Sequence, residues 1–306
     1  MTEDKIISEW RKICSESGFQ GEIRQGEKLR DHTSLRIGGP ADIFLIPASV
    51  TDLINLLETL SREDIPSYIL GGGANLLVPD QGIRGVVIQT GPGMGDFNFR
   101  GGTLTAAAGA SLPRLVRAAY EKGLSGLDFA AGIPGTVGGA VVMNAGCGGG
   151  DISQMVSRVR IFKPVSGIKD WTEKDCQFEY RSSRFRGSGE IILEVEFKLE
   201  PGSPPVIKER MEKIIARRKQ TLPLEYPSAG SIFKNPPGDY AARLIEATGL
   251  RGEIVGGAQI SKKHSNIIVN RSVAHCRDVE QLITLARRKV REKFSIDLEL
   301  ELEIWK

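Results

Sequence analysis

The chain has 306 residues, and its 41 Lys and Arg against 38 Asp and Glu leave a net charge of +3, too mild a balance for wholesale nucleic-acid binding. A mean hydropathy of -0.16 with 40% hydrophobic and 26% charged residues fits a soluble globular protein of one or two domains and excludes a fibre or a bundle of membrane spans. Glycine is the outlier, with 36 residues clustered without a collagen period, about 12% against an average near 7%.

In chain order, residues 1–18 carry Ile6, Ile7, Trp10, Ile13 and Cys14 among charged residues, helical spacing with no apolar signal-peptide stretch, so a capping helix is expected. Ile43–Ile46 reads as a strand ending at Pro47. Ser49 stands three before Asp52 and ahead of Leu53, Ile54, Leu56, Leu57 and Leu60, an N-cap and an amphipathic helix. Tyr68–Leu70, Leu76–Val78 and Val86–Ile88 read as strands, with a glycine loop at 71–75 between the first two. A second block runs from Thr103 to Leu199: the strand Thr103–Ala108, a helix capped by Ser111 and closed by Gly123, a glycine-rich stretch, and strands at 159–162 and 190–199. The long uncharged run Phe129–Gly150 contains eight glycines and a proline, which makes it a poor membrane helix.

Pro201-Gly202-Ser203-Pro204-Pro205 breaks the pattern and marks a domain boundary. Beyond it are expected a charged helix to about Lys219, helices at 239–248 and 278–294, and an alternating strand Asp297–Trp305, so the last part is α+β. The four cysteines, Cys14, Cys147, Cys176 and Cys276, lie far apart with no Cys or His at metal-ligand spacing. That points to a reduced, cytosolic compartment and no metal.

The first glycine cluster, Gly71-Gly72-Gly73-Ala74-Asn75, follows a strand and offers successive backbone N–H groups to a phosphate. It fits neither the G-x-G-x-x-G nor the P-loop pattern, because Leu76 takes the third glycine position and no Gly-Lys-Ser/Thr follows. The second runs Gly132-Ile133-Pro134-Gly135-Thr136-Val137-Gly138-Gly139-Ala140. It reads as a helix start at Pro134–Thr136 whose Gly138, Gly139 and Ala140 present an open surface to a cofactor. Each cluster alone reads as a tight turn; together, about 60 residues apart in one α/β region, they read as two surfaces around one diphosphate.

With these clusters go the strings His32-Thr33-Ser34, Ile37-Gly38-Gly39-Pro40-Ala41, Met143-Asn144-Ala145-Gly146, Tyr180-Arg181-Ser182-Ser183, Ser228-Ala229-Gly230-Ser231-Ile232-Phe233-Lys234-Asn235-Pro236 and Leu298-Glu299-Leu300-Glu301. In these blocks, spread in order over nearly the whole chain, the sequence resembles the UDP-N-acetylenolpyruvoylglucosamine reductase family of bacterial peptidoglycan synthesis, in its shorter, type II form. The resemblance implies an α+β and α/β chain: a two-subdomain FAD-binding unit of the vanillyl-alcohol-oxidase (PCMH) type, residues 1–90 and 91–202, plus a C-terminal α+β substrate-binding domain, residues 203–306. It also implies non-covalent FAD held by the two glycine clusters, NADPH as hydride donor, and a UDP-N-acetylglucosamine enolpyruvate substrate. No nucleic acid, membrane or obligate protein partner is expected.

By the same resemblance Arg181, Ser231 and Glu301 are catalytic. A guanidinium is a fixed, always-charged fork for a carboxylate, although Arg181 alone also reads as a surface arginine among the several at 181–186. A hydroxyl in the tight turn at Ser231 suits proton delivery to a basic carbon, or else bonds to its own backbone. Glu301 is selected over Glu299 and Glu303 by a Leu-Glu-Pro-Glu string of the family in which Leu300 here replaces Pro; read alone, the three glutamates form a solvated strand face. Tyr180, Lys219, Lys234, Asn235 and His264 are implied substrate contacts. The competing readings are another FAD oxidoreductase of this fold acting on a hydroxy acid or sugar alcohol, and a flavin- or nucleotide-sugar-binding protein without catalysis.

Overall fold

The structure, a computed structural model, describes residue 10 and residues 13–306. The expected N-terminal helix falls mostly outside the described residues; its end at 13–16 is helical, and Gly18 closes it at φ +69°.

The chain forms two compact units, each discontinuous in sequence: residues 1–26, 42–72 and 84–215, and residues 27–41, 73–83 and 216–306. These differ from the contiguous division at 90/91 and 202/203. Leu35, Ile37 and Leu77 pack with residues from 229 to 302 and so go with the C-terminal part. The first turns of the Pro204–Thr221 helix send Ile207 into the interior, and Met211 and Ile214 pack on the core of the N-terminal unit, so the boundary falls inside the helix and not at the prolines before it.

In the N-terminal unit a four-stranded sheet runs in the order Glu22–Lys28, Pro40–Ile46, Ile83–Gln89, Ser67–Leu70. The helix Val50–Arg62 connects Pro40–Ile46 to Ser67–Leu70, and the latter pairs parallel with Ile83–Gln89. Ser49 caps that helix as the sequence indicates, accepting from Asp52 N at 3.1 Å. The second sheet is antiparallel throughout, in the order Gly167–Thr172, Val156–Lys163, Ile191–Lys198, Thr103–Ala107, Phe97–Arg100. Phe162 and Phe197 are fully buried here, each contributing about 1.5–3 kcal/mol by leaving water. The helix Leu112–Glu121 ends at Gly123, φ +68°, as expected, although Ser111 makes no side-chain cap bond.

The C-terminal unit holds an antiparallel sheet, Ser228–Ser231, Ile267–Asn270, Ala258–Ile260, Ile254–Val255, with the helices Ala241–Ala247 and Cys276–Phe294. Ala258, Ile260 and Ile268 form a core with Val279, Leu282 and Ile283 of the long helix. The alternating segment at 297–305 is a ladder only at Glu303–Ile304, paired parallel with Leu76–Leu77, plus a single bridge between Leu300 and Phe233. Its alternation nevertheless follows burial, with Leu298 and Leu302 inside and Asp297 and Glu299 exposed. No helix among the described residues is long and apolar enough to cross a membrane, and no cluster of three His, Cys, Asp or Glu among them is arranged to hold a metal ion.

Candidate active site

Within the N-terminal unit, Gly71 and Gly72 of the first glycine cluster lie against the second cluster. A Cβ on Gly71 would sit 2.5 Å from Thr136 Oγ1, and one on Gly72 would sit 2.7 Å from Gly135 Cα, distances at which no side chain fits. Gly135 and Gly132 take positive φ, +111° and +82°, which glycine alone adopts without strain. The helix begins at Val137 and not at Pro134: Thr136 is its N-cap, accepting from Gly139 N at 3.4 Å. This six-residue helix buries more of its small residues than expected. Gly138 donates to Ala108 O at 2.8 Å and faces Ala108, and Ala140 is buried, so Gly139 alone of the three is exposed, with Gly132 and Pro134 exposed ahead of it. What remains is a glycine-lined surface of exposed backbone on two abutting loops, which fits the diphosphate of a dinucleotide cofactor.

Arg181 belongs to the same unit and has φ +55°, a conformation that costs a non-glycine residue about 1–3 kcal/mol. Its Nη2 donates to Gly146 O at 2.6 Å, and its Nη1 to Asn144 O at 3.3 Å. Gly146 is a glycine by necessity, because a Cβ there would meet Gly150 O at 2.5 Å and Arg181 Nη1 at 3.0 Å. The half-exposed ring of Tyr180 stacks 5.1 Å from the guanidinium. Asn144, which the sequence reading quoted but gave no role, locks this arrangement: it is buried, its Nδ2 donates to Glu179 O at 3.0 Å, and its Oδ1 accepts from Ser153 N at 3.1 Å. Its own φ is +41°, which asparagine tolerates better than most residues.

In the C-terminal unit Gly73, φ +58°, packs on the His32–Thr33 turn, where a Cβ would be 2.1 Å from His32 O. The half-buried Ala74 follows it. Asn75 then ties the loop to the chain's end: its Nδ2 donates to Glu301 O at 2.9 Å, and its O accepts from Glu303 N at 3.1 Å. Glu301 N in turn donates to Ile232 O at 2.9 Å, next to Ser231. Asn75, Ser231 and Glu301 therefore sit on three adjoining backbone segments. Ser231 is half-buried and follows Gly230, whose φ of +74° makes the turn, with a bulge between Ser228 and Ser231 in their pairing with Val269 and Ile267.

The other implied substrate contacts lie in this unit too, and Lys234, Asn235 and Lys219 each have a partner in the chain. Lys234 Nζ pairs with Glu299 at 2.7 Å, Asn235 Oδ1 accepts from Ala241 N at 3.1 Å, and the exposed Lys219 accepts through its carbonyl from Lys263 Nζ at 2.6 Å. His264 is half-buried; burial holds its pKa below the usual histidine value, and its buried Nδ1 has no hydrogen-bond partner in the chain. A neutral imidazole with an unmatched buried nitrogen is a ready contact for a ligand. A further buried asparagine, Asn266, pairs with both backbone groups of Phe233; nothing in Lys-Lys-His-Ser-Asn distinguishes it in sequence from a turn residue.

Comparison with known proteins places these features. Residues 41–168 match the FAD binding domain, and residues 222–305 match the UDP-N-acetylenolpyruvoylglucosamine reductase C-terminal domain. The chain is 45% identical to UDP-N-acetylenolpyruvoylglucosamine reductase 2 of Symbiobacterium thermophilum over 93% of its own length and 92% of the relative's. It is 44% identical to the reductase of Moorella thermoacetica over 95% of each chain. The crystal structure of the reductase from Thermus caldophilus superposes with a TM-score of 0.80 at 36% identity, covering 94% of this chain and all of that one. With a matching FAD-binding domain and C-terminal domain and relatives this close over nearly full length, the chain belongs to the UDP-N-acetylenolpyruvoylglucosamine reductase family.

Proposed function

We propose that the chain catalyses the NADPH-dependent reduction of UDP-N-acetylglucosamine enolpyruvate to UDP-N-acetylmuramate, a cytoplasmic step in peptidoglycan precursor synthesis. The observation that carries this reading is the bond from Glu301 N to Ile232 O, which holds a carboxyl residue beside the segment bearing the Ser231 hydroxyl. FAD would be held at Gly71, Gly72, Gly132, Pro134, Gly135, Thr136 and Gly139, and when bound and reduced by NADPH it would supply the hydride for the β-carbon of the enolpyruvyl group. The substrate is then left with negative charge shared between its α-carbon and its carboxylate. Arg181 meets that charge with a guanidinium whose plane is fixed by the carbonyls of Asn144 and Gly146 and which needs no reorientation as charge develops. Ser231 gives its proton to the α-carbon, and Glu301 orients the carboxylate and steadies the charge. Lys219, Lys234, Asn235, Tyr180 and His264 serve the uridine diphosphate and sugar portion.

The test is anaerobic. Purified holoenzyme is mixed with NADPH and then with UDP-N-acetylglucosamine enolpyruvate while the visible flavin band is followed. Bleaching by NADPH and recovery with the enolpyruvyl substrate are expected, and Ser231→Ala is expected to slow recovery by roughly 10²–10⁴-fold without slowing bleaching. Bleaching without recovery in the wild type overturns the substrate, and no flavin binding overturns the reading of the glycine clusters.

A further inference from the structure

Ser231 ends its strand, and the ladder with Ile267–Asn270 stops at the Ser231–Ile267 pair. Past that point the pairing is continued by a side chain. Asn266, 2% exposed, donates from Nδ2 to Phe233 O at 2.7 Å and accepts at Oδ1 from Phe233 N at 3.0 Å, while its own carbonyl accepts from Ile232 N at 2.9 Å. Its carboxamide thus offers Phe233 what a peptide group of a neighbouring strand would offer, one donor and one acceptor side by side. On the other edge of the same segment, Ile232 O accepts from Glu301 N, and Lys234 N donates to Glu299 O at 2.8 Å. Residues 231–234 are therefore held between Asn266 and the chain's end, and Ile232, bonded on both sides, carries the position of one edge to the other.

We infer that Asn266 is a positioning residue for proton delivery, fixing through Ile232 and Phe233 both the adjoining Ser231 and the neighbouring Glu301. The inference rests on the reaction proposed above. No other side chain reproduces the pairing. Aspartate has no donor for Phe233 O and sets a carboxylate against that carbonyl, glutamine is a methylene too long for the same two bonds, and leucine leaves both backbone groups of Phe233 buried and unmatched. The purely structural alternative is represented by Asn270, at the far end of the strand Ile267–Asn270 that Asn266 precedes. It is also buried; its side-chain amide bonds Leu35 O at 3.1 Å and Ala274 N at 3.1 Å, neither of them in residues 231–234, and its backbone N donates to Pro227 O at 2.9 Å, at the far end of the Ser231 strand.

The experiment compares Asn266→Asp with Asn270→Asp as FAD-loaded full-length enzymes, measuring the two half-reactions separately by rapid mixing. For Asn266→Asp, flavin spectrum and bleaching by NADPH stay within about twofold of wild type. Recovery with the enolpyruvyl substrate slows on the order of 10²-fold, the cost of a misplacement of about 1 Å in a reacting group, and its solvent deuterium isotope effect rises as protonation becomes rate-limiting. Asn270→Asp changes neither rate relative to the other. If Asn266→Asp cannot be isolated with FAD bound, Asn266→Ser, which keeps one hydrogen-bonding group in less volume, takes its place. Equal loss in both half-reactions, no loss in either, or failure of both variants to form holoenzyme overturns the inference and leaves Asn266 a residue of the fold alone. A wild-type enzyme whose bleached flavin the substrate does not restore overturns the reaction itself, and this inference with it.

Discussion

Replacing Gly139 by alanine separates the needs of the fold from those of the cofactor. Gly139 is exposed on the third position of the Val137–Val142 helix, its φ is ordinary, and an added Cβ would meet only Thr136 Oγ1 at 3.5 Å, an ordinary contact. The apoprotein therefore gains what a helical alanine gains over glycine, about 0.4–1 kcal/mol, a rise of up to about 2–4 °C in thermal midpoint. Bound FAD, if it lies on this surface, meets an extra methyl group where backbone was bare. Overpacking of that kind costs about 1–3 kcal/mol, which weakens the dissociation constant roughly 5- to 150-fold. Thermal melts of the apoprotein and titration of apoprotein with FAD by flavin fluorescence measure the two effects independently. An unchanged FAD affinity would refute the assignment of this surface to the cofactor; a lowered apo midpoint would refute the account of the helix.

Leu300→Pro should be tolerated, changing stability by less than about 1 kcal/mol. The bonds that fix the register here use Glu299 O, Glu301 N and Glu303 N; a loss above about 3 kcal/mol in chemical denaturation would show that the N–H of Leu300 is needed. Burial pushes the thiols of Cys14, Cys176 and Cys276 up to about 11, about 12 and about 12, so in native protein a disulfide reagent at neutral pH should titrate Cys147 alone, and all four thiols once the chain is unfolded. Rapid native reaction of a second thiol contradicts this. His264 binds its proton less readily folded than unfolded, so its contribution to stability is complete above about pH 6.5 and is lost as pH falls below that through its lower folded value. His264→Gln should flatten the decline of the thermal midpoint between about pH 6.5 and 5, and parallel curves for the two proteins would exclude the effect.

Local chemistry made some of this legible from the residues. Ser49 and Asp52 announced a capped helix, Gly123 closed its helix at φ +68°, and two glycine clusters about 60 residues apart met in the fold. What was missed depends on pairing at a distance. The strand Glu22–Lys28 has one large apolar residue, Ile23, and that one is exposed, so no period marks it. The sheet of the C-terminal unit is built from strands of two to four residues, too short for alternation to register. The segment at 297–305 shows the converse: its alternation reflects burial of Leu298 and Leu302, which an extended chain achieves with few ladder bonds. The catalytic assignments came from matched strings and not from periodicity, while Asn144 and Asn266 act through backbone groups far along the chain and carry no local signature.

The sequence discontinuity of the C-terminal unit has a consequence for how the chain is made. Leu35, Ile37 and Leu77 are packed with residues that follow position 228, so during synthesis at about 5–20 residues per second these apolar side chains wait on the order of ten seconds or more for the residues that cover them. Such late, long-range closure slows folding and leaves an interval in which the nascent chain can associate with others. A fragment spanning 216–306 lacks three of its own core residues however carefully it is refolded. A chain truncated before Ser228 leaves the same three stranded, so neither part of the coding sequence is expected to yield a stable product when expressed alone.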